Sequence, residues 1–207
     1  MDTAQITESS ATSTKDFFDS VAQNWDNICR HDQRKLDMIF EQIGVFKGAK
    51  VLDVGCGTGI LIPRIFDAIG EEGSLVAVDY SEKMLKIAKS KHKFSNLKFL
   101  CDDISCVKFK ENHFDFIICY SVFPHFTDKK KTLTHLVKAL KIGGKLCIAH
   151  SEAREAINQM HEKTNAAVAG HKLLPANEVV AVVEEIGLRH VFSIDNECLY
   201  QVIAEKI

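Results

Sequence analysis

The sequence predicts an α/β fold built on a mostly parallel β-sheet. From residue 50 onwards, short β-branched runs alternate with longer amphipathic stretches, a pattern typical of βαβ units whose helices cover both faces of such a sheet. Glycines at positions 143–144 and 187 mark where two of the amphipathic stretches end. A length of 207 residues suits one domain of this kind.

Seven segments have the length and apolar character of β-strands, so we predict a seven-stranded sheet. They are residues 50–54, 74–79, 97–101, 114–120, 145–150, 188–194 and 198–204. Apolar positions spaced along one face predict helices between them, at residues 59–69, 81–90, 129–140 and 176–186.

The domain organisation follows from the absence of any internal repeat or linker in the sequence. We expect a single domain over residues 15–207, with an N-terminal helical cap at 15–43 and an inserted helical lid at 151–172. Residues 1–14 are rich in Ser and Thr, and we expect them to form a disordered tail.

Composition limits the classes of partner. The net charge is −2 and the pI is about 6.5, which disfavours nucleic acid and anionic membranes as ligands. We therefore expect a small-molecule partner and a monomer or homodimer. No apolar run of the sequence is long enough to cross a bilayer. Seven cysteines without a C-x-x-C pair favour free thiols in a reducing compartment, so a cytoplasmic location is expected.

A glycine-rich loop is the first candidate for a binding site. Residues 53–59, with the sequence DVGCGTG, follow an apolar strand and precede a predicted helix, which is the setting of a nucleotide-binding loop in a Rossmann-like fold. Glycines there allow a sharp turn and a close approach of the backbone to a ligand. Strand two ends at Asp79 and strand three is followed by Asp103, so acidic side chains would meet at one edge of the sheet.

These segments together resemble the class I S-adenosylmethionine (SAM)-dependent methyltransferases, particularly the small-molecule group that includes ubiquinone and menaquinone methyltransferases. The similarity covers residues 50–150 closely. It rests on VLDVGCGTG at 51–59, VDYS at 78–81, CDDI at 101–104, FDFI at 114–117 and LKIGGKL at 140–146. Residues 17–26 resemble a frequent lid element of the family. Two positions differ from the usual family pattern: Trp25 in the lid stands where Tyr is usual, and Asp102 in the 101–104 motif stands where Gly is frequent.

The resemblance implies a Rossmann-like class I methyltransferase fold that binds SAM and releases S-adenosylhomocysteine (SAH). By that resemblance Gly55 and Gly57 would approach the methionine part, Asp79 the ribose and Asp103 the adenine amino group. The expected cofactor-binding residues are Asp53, Gly55, Cys56, Gly57, Asp79, Tyr80, Met84, Asp102, Asp103, Ile104 and Tyr120.

A nicotinamide-dependent dehydrogenase is the competing interpretation of the glycine loop. A dinucleotide fingerprint needs G-x-G-x-x-G so that a pyrophosphate meets the helix N-terminus. Here Gly59 comes one residue early, and Asp53 would repel a diphosphate while attracting an ammonium group. SAM is therefore the better electrostatic match.

The methyl acceptor is expected where strands four and five end. His125 follows strand four and His150 ends strand five, while Arg154 and His161 share one face of the next helix. We expect these four residues to be catalytic or to contact the acceptor, as a general base or as a carboxylate anchor. His31, His92, His113, His135 and His190 are expected to be solvated.

A second class of function stays open for the same histidines. His150, His161 and His171 would bind a metal or a metal-bearing tetrapyrrole if they converged. The protein would then be a carrier of this fold without catalysis.

Overall fold

The computed structural model describes residues 13–207, and its sheet has the predicted strand number. The strands are β1 Lys50–Val54, β2 Ser74–Asp79, β3 Leu97–Cys101, β4 Phe114–Tyr120, β5 Leu140–His150, β6 Leu188–Asp195 and β7 Tyr200–Lys206. They lie in the order β3-β2-β1-β4-β5-β7-β6, and within that sheet β7 alone runs opposite to the other six strands. The predicted mostly parallel, Rossmann-like architecture is confirmed.

The described helices are α1 Thr14–Val21, α2 Trp25–Ile28, α3 Gln33–Ile43, α4 Ile62–Ile69, α5 Glu82–Lys91, α6 Lys129–Ala139, α7 Arg154–Thr164, α8 Ala166–Ala169 and α9 Ala176–Glu185. Short 3-10 turns occupy Ala22–Asn24 and Phe123–His125. The side chains of Ser13, Asp32, Ser81 and Asp128 cap α1, α3, α5 and α6 by accepting bonds from free backbone N–H groups.

The hydrophobic core lies in two layers, one on each face of the sheet. Successive residues of β1 point to opposite faces, so that Val51 packs with α3 and α4 while Leu52 packs with α6 and α9. Leu36 of α3 and Leu136 of α6 have no exposed surface. Because both faces are covered, the ligand-binding edge is left at the carboxyl ends of the strands.

The strand order reverses between β1 and β4, which are hydrogen-bonded neighbours although two helices and two strands separate them in sequence. The chain leaves β1 towards β2 on one side and leaves β4 towards β5 on the other. In open α/β sheets such a switch point leaves a crevice at the strand ends.

Three predicted starts of helices or strands differ from the structure by two residues or more. Helix α4 begins at Ile62 rather than residue 59, where Gly59 has a φ of 88°. Strand β5 begins at Leu140, not 145, because its pairing with β4 is irregular: Leu140 lies opposite Phe114 and Lys145 opposite Phe116. The extra residues around the glycines form a bulge rather than a helix-terminating loop.

The third difference concerns β7, which begins at Tyr200 instead of 198. The side chain of Asn196 accepts from the backbone N–H groups of Cys198 and Leu199, so these two residues belong to a turn.

At the N-terminus, α1 starts at Thr14, while the rest of the predicted tail, residues 1–12, lies outside the described residues. Within residues 13–207, none of the helices has the length and apolar character needed to cross a membrane.

Candidate functional site

A cavity of about 470 Å³ opens at the carboxyl edge of the sheet, at the switch point between β1 and β4. Its walls come from the loop after β1, the ends of β2 and β4, residues 102–106, and the N-terminal helices. The volume is in the usual range for a small-molecule site. All the residues predicted to contact a cofactor line this one cavity.

The glycine loop is fixed to the neighbouring strand by its backbone. The N–H groups of Gly55 and Cys56 donate to the carbonyl of Val78 over 2.8 and 3.0 Å. Gly55 has a φ of 68°, and a Cβ there would lie 2.4 Å from Cγ2 of Val122. The backbone therefore passes closer to the segment after β4 than any other residue type would permit.

Two buried carboxyl groups face the loop. Asp79 accepts from the N–H of Gly57 and from the N–H of Ser81, both over 2.8 Å. Asp53 is only 1% exposed, and its Oδ2 has no hydrogen-bond partner. Burial, with the charge of Asp79 second, raises the pKa of Asp53 to about 7. Burial also raises the pKa of Asp79, so both groups favour a cationic ligand that would compensate their charge.

The end of the cavity away from the glycine loop is lined by apolar side chains that could receive an aromatic ring. Tyr80, Met84 and Ile104 line it together with the acidic pair 102–103. The Oδ1 of Asp103 accepts from both the N–H and the hydroxyl of Ser105, each over 2.8 Å. Apolar side chains beside a fixed carboxylate suit a purine ring that carries an exocyclic amino group.

The N-terminal cap closes over the loop through two aspartates that the sequence interpretation did not single out. Asp26 accepts from the hydroxyl of Thr58 over 2.5 Å and pairs with Lys91 at 2.8 Å. Asp19 accepts from the hydroxyl of Ser81 over 2.5 Å. Acidic residues in a predicted lid helix were the available signal, but only the tertiary structure pairs them with the loop.

Aromatic side chains of this cap cover the same cavity. The ring of Phe18 is 5.5 Å from that of Trp25 and 5.1 Å from that of His125, measured between centroids. Phe18 and Trp25 both line the cavity. The cap thus covers the cavity with an apolar roof, formed by Phe18 and Trp25, and is hydrogen-bonded to the rest of the site through Asp19 and Asp26.

The predicted histidines converge only in part. His125 lines the cavity, and its Nδ1 is 2.8 Å from Nδ1 of His171. The ring of His161 is 4.9 Å from that of His125, and its Nδ1 bonds to the carbonyl of His171 over 2.7 Å. Burial lowers the pKa of all three imidazoles, so they are neutral at pH 7.

His150 and Arg154 lie at the predicted strand end and on the predicted helix, but neither lines the cavity. His150 is 1% exposed, its ring nitrogens have no partner in the described part of the chain, and burial lowers its pKa to about 3. Arg154 pairs with Asp195 at 2.9 Å and with Glu155. His150, Arg154 and His161 do not line the cavity, and their contact with the acceptor stays a prediction.

The structure gives no support to the metal site predicted from His150, His161 and His171. Over residues 13–207, no three His, Cys, Asp or Glu side chains are arranged to hold a metal ion. The Nδ1 atoms of His161 and His171 are instead engaged with the carbonyl of His171 and with His125.

A further histidine, His31, was expected to be solvated but lines the cavity. Its Nδ1 is 2.6 Å from the hydroxyl oxygen of Tyr120, which in turn donates to Ser151 over 2.7 Å. Burial raises the pKa of Tyr120 to about 12. The residue lies in the short segment between α2 and α3, whose position no local pattern predicts.

Comparison with known proteins defines the class to which this fold and cavity belong. A family model described as a methyltransferase domain matches residues 46–206. This chain belongs to that methyltransferase family.

Curated relatives include a ubiquinone/menaquinone biosynthesis C-methyltransferase from Wigglesworthia glossinidia brevipalpis, 32% identical over 65% of this chain and 57% of the relative. A demethylmenaquinone methyltransferase from Staphylococcus saprophyticus is 31% identical over 66% of this chain and 62% of its own length. The chain thus spans about three fifths of the length of these relatives.

Solved structures confirm the fold. A SAM-dependent methyltransferase from Aquifex aeolicus superposes with a TM-score of 0.72 at 22% identity, covering 91% of this chain and 98% of that one. The phosphoethanolamine N-methyltransferase 2 of Haemonchus contortus, solved with SAM, gives 0.77 at 16% identity over 95% of this chain and 60% of that one.

Proposed function

We propose that this protein transfers the methyl group of SAM to a small, uncharged acceptor that carries an aromatic ring. The observation that carries the donor assignment is the Asp53 carboxyl group, which is buried beneath the glycine loop with an unpartnered oxygen. A ligand with an ammonium group and a sulfonium would supply the missing positive charge. Membership of the methyltransferase family supports the same donor.

The cavity residues divide the proposed work between them. Asp53 and the Gly55–Gly57 backbone would hold the methionine part, Asp79 the ribose hydroxyls, and Asp103 with the surrounding apolar side chains the adenine. Methyl transfer from a sulfonium is an in-line displacement, so alignment and exclusion of water supply much of its catalysis. The rings of Phe18 and Trp25, which line the cavity, would exclude water from the bound ligands in this way.

The acceptor is proposed to be uncharged and aromatic because of what surrounds its end of the cavity. Tyr120, Val122, His125 and Phe126 line that end together with the roof. The imidazole of His125 is neutral there, since burial lowers its pKa well below the usual value. Two of the curated relatives carry quinone-related names, which agrees with an aromatic acceptor.

Titration calorimetry with SAM and SAH tests the donor assignment. We expect both to bind, and we expect Asp79→Ala to weaken the binding by tenfold or more, because a bound ribose would lose two charge-assisted hydrogen bonds. Asp37→Ala is the matched control, since Asp37 is an exposed acid that pairs with Arg64. Absence of heat with both ligands would rule out the proposal.

A further inference from the structure

Four polar side chains form a continuous hydrogen-bonded chain along one wall of the cavity. The Sγ of Cys29 is 3.4 Å from Nε2 of His31, whose Nδ1 is 2.6 Å from the hydroxyl of Tyr120. The Tyr120 hydroxyl donates to Ser151 Oγ over 2.7 Å. Cys29, His31 and Tyr120 all line the cavity, so a bound acceptor would have direct access to this chain.

The chain is uncharged at neutral pH, and His31 is its strongest base. Burial lowers the pKa of His31, while Asp26 and Glu152 act on it in the opposite direction. His150 lies within electrostatic range of it. Burial raises the pKa of the Cys29 thiol to about 11, so the thiol stays protonated. An Nε2–H on His31 that faces the sulfur leaves Nδ1 as an acceptor, and the relay operates when the Tyr120 O–H turns from Ser151 Oγ to Nδ1 of His31.

Charge balance shows why such a base is useful here. The sulfonium of SAM is positive and SAH is neutral at sulfur, so methyl transfer removes a positive charge from a buried site. An acceptor that methylation leaves neutral must also lose a proton. A neutral imidazole in the wall can take up that proton, and the site then keeps its net charge through the reaction.

We propose that Tyr120 and His31 together remove the proton of a hydroxyl group on the methyl acceptor. The inference rests on the proposed methyl-transfer function. As the methyl carbon leaves sulfur and bonds to the acceptor, the acceptor O–H bond breaks and its proton passes to the Tyr120 oxygen. The Tyr120 proton moves at the same time to Nδ1 of His31, which becomes imidazolium, so that no tyrosinate forms.

The position of His31 links this proton transfer to closure of the cap. His31 lies in the segment that joins α2 to α3. Helix α2 is held to the glycine loop by the bond between Asp26 and Thr58, 2.5 Å long. The base is therefore complete only when the cap is closed over the cavity.

The test uses the full chain with two hydroxyaromatic probes, naphthalene-1,4-diol and catechol, and follows SAH release and product mass. We expect the unmodified protein to methylate at least one probe, and Tyr120→Phe and His31→Gln each to lower kcat by about 100-fold, the usual effect of losing a general base. The Kd for SAM should stay within threefold in His31→Gln. At saturating SAM, the kcat/KM for the methyl acceptor in the unmodified protein should fall as the pH is lowered through the pKa of His31, and His31→Gln should lack this limb.

Tyr200→Phe and His113→Gln are the matched controls. The buried Tyr200 hydroxyl has no partner within the described residues, and His113 precedes β4 at the opposite edge of the sheet. Both controls should keep kcat within twofold. The inference is overturned if Tyr120→Phe and His31→Gln retain kcat within threefold, if the acid limb persists in His31→Gln, or if SAM binds but neither probe is methylated. Failure to bind SAM would instead remove the proposed function itself.

Discussion

At the scale of single residues, the surroundings of Asp53 determine whether its carboxyl group is protonated. Its carboxyl is buried, lacks a partner on Oδ2, and has a pKa of about 7 because of burial and the neighbouring Asp79. The ligand-free protein therefore holds a proton on Asp53 that an unfolded chain would release near pH 4. A cationic ligand would expel this proton.

Replacing Asp53 with Asn is expected to have opposite effects on stability and on SAM binding. The folded-state pKa is raised, so the contribution of Asp53 is fully present below pH 4 and is lost as the pH rises through about 7. At pH 8, Asp53→Asn should raise the free energy of unfolding of the ligand-free protein by on the order of 2–4 kcal/mol. SAM affinity should fall by about 10-fold to 100-fold, because the ammonium loses its carboxylate.

Urea unfolding at pH 5 and pH 8, together with calorimetry, measures both effects. In the unmodified protein SAM affinity should rise between pH 5 and 7, whereas in Asp53→Asn it should be independent of pH in that interval. Asp37→Asn serves as the exposed control. Equal losses of stability and affinity in Asp53→Asn would contradict the assignment.

At the scale of secondary-structure elements, the loop after β1 is shaped by its contact with the segment after β4. Gly55 has a φ of 68° and lies against Val122, whereas Gly44, the C-terminal cap of α3, has a φ of 70° and its nearest neighbour is the end of the Lys145 side chain at 3.6 Å. The two glycines share a left-handed backbone but differ in the space around them. Substituting alanine at each position therefore distinguishes the cost of backbone strain from the cost of steric overlap.

Gly55→Ala should be much more harmful than Gly44→Ala. Alanine in the left-handed region costs about 1–2 kcal/mol at either position. At Gly55 the new Cβ would also overlap Cγ2 of Val122, at 2.4 Å, so the loop or β4 must shift. We expect Gly55→Ala to abolish SAM binding by calorimetry while Gly44→Ala binds normally; equal binding by the two variants would show that the close approach is unimportant.

The sequence predicted the elements better than it predicted the site. Strands β1 to β4 have the predicted bounds because each is a short apolar run with clear ends. The predicted strand β5 is too short because a pair of glycines is a turn signal in the local sequence. In the structure the strand continues through these glycines, with an irregularity in its pairing with β4. The residues predicted to bind the cofactor lie at or just after the ends of strands. Because parallel strands end at the same edge of the sheet, the topology alone brings these residues into one cavity.

The acceptor side was less predictable because it depends on contacts that are distant in sequence. His31 meets Tyr120 across 89 positions, and Thr58 meets Asp26 across 32. Arg154 and His161 lie on the same helix, yet the guanidinium of Arg154 pairs with Asp195 of a strand 41 positions away in sequence. Periodicity fixes the face of a helix but not the partner that the face meets.

At the scale of the whole molecule, α2 differs from α3 in how it is held. Helix α3 buries Leu36, Ile39 and Ile43 in the core, whereas the described residues of α2 bury no side chain and are anchored through Asp26. Segments with few buried apolar contacts open at low free energy. The cap is therefore the part of the fold that ligand binding should stabilise most.

Limited trypsin digestion provides a check, because Arg30 is exposed in the segment between α2 and α3. We expect cleavage after Arg30 to slow by tenfold or more at saturating SAH, since a ligand under the cap opposes its opening. In the Asp26→Ala variant cleavage should be faster without ligand, and protection by SAH should be smaller. Mass spectrometry of the fragments identifies the site; unchanged cleavage with SAH would show that the cap does not respond to ligand.

The hydroxyl of Thr14, at the start of α1, donates to the carbonyl of Ala167 in α8 over 3.1 Å. The N-terminal cap, which lines the cavity through Thr14, is thus joined to the insertion after β5 by a hydrogen bond. Because methyl transfer from a sulfonium is a direct in-line displacement, donor and acceptor would have to be bound together beneath the cap. Steady-state kinetics should consequently follow a ternary-complex scheme with intersecting reciprocal plots, and no methylated form of the enzyme should accumulate between substrates.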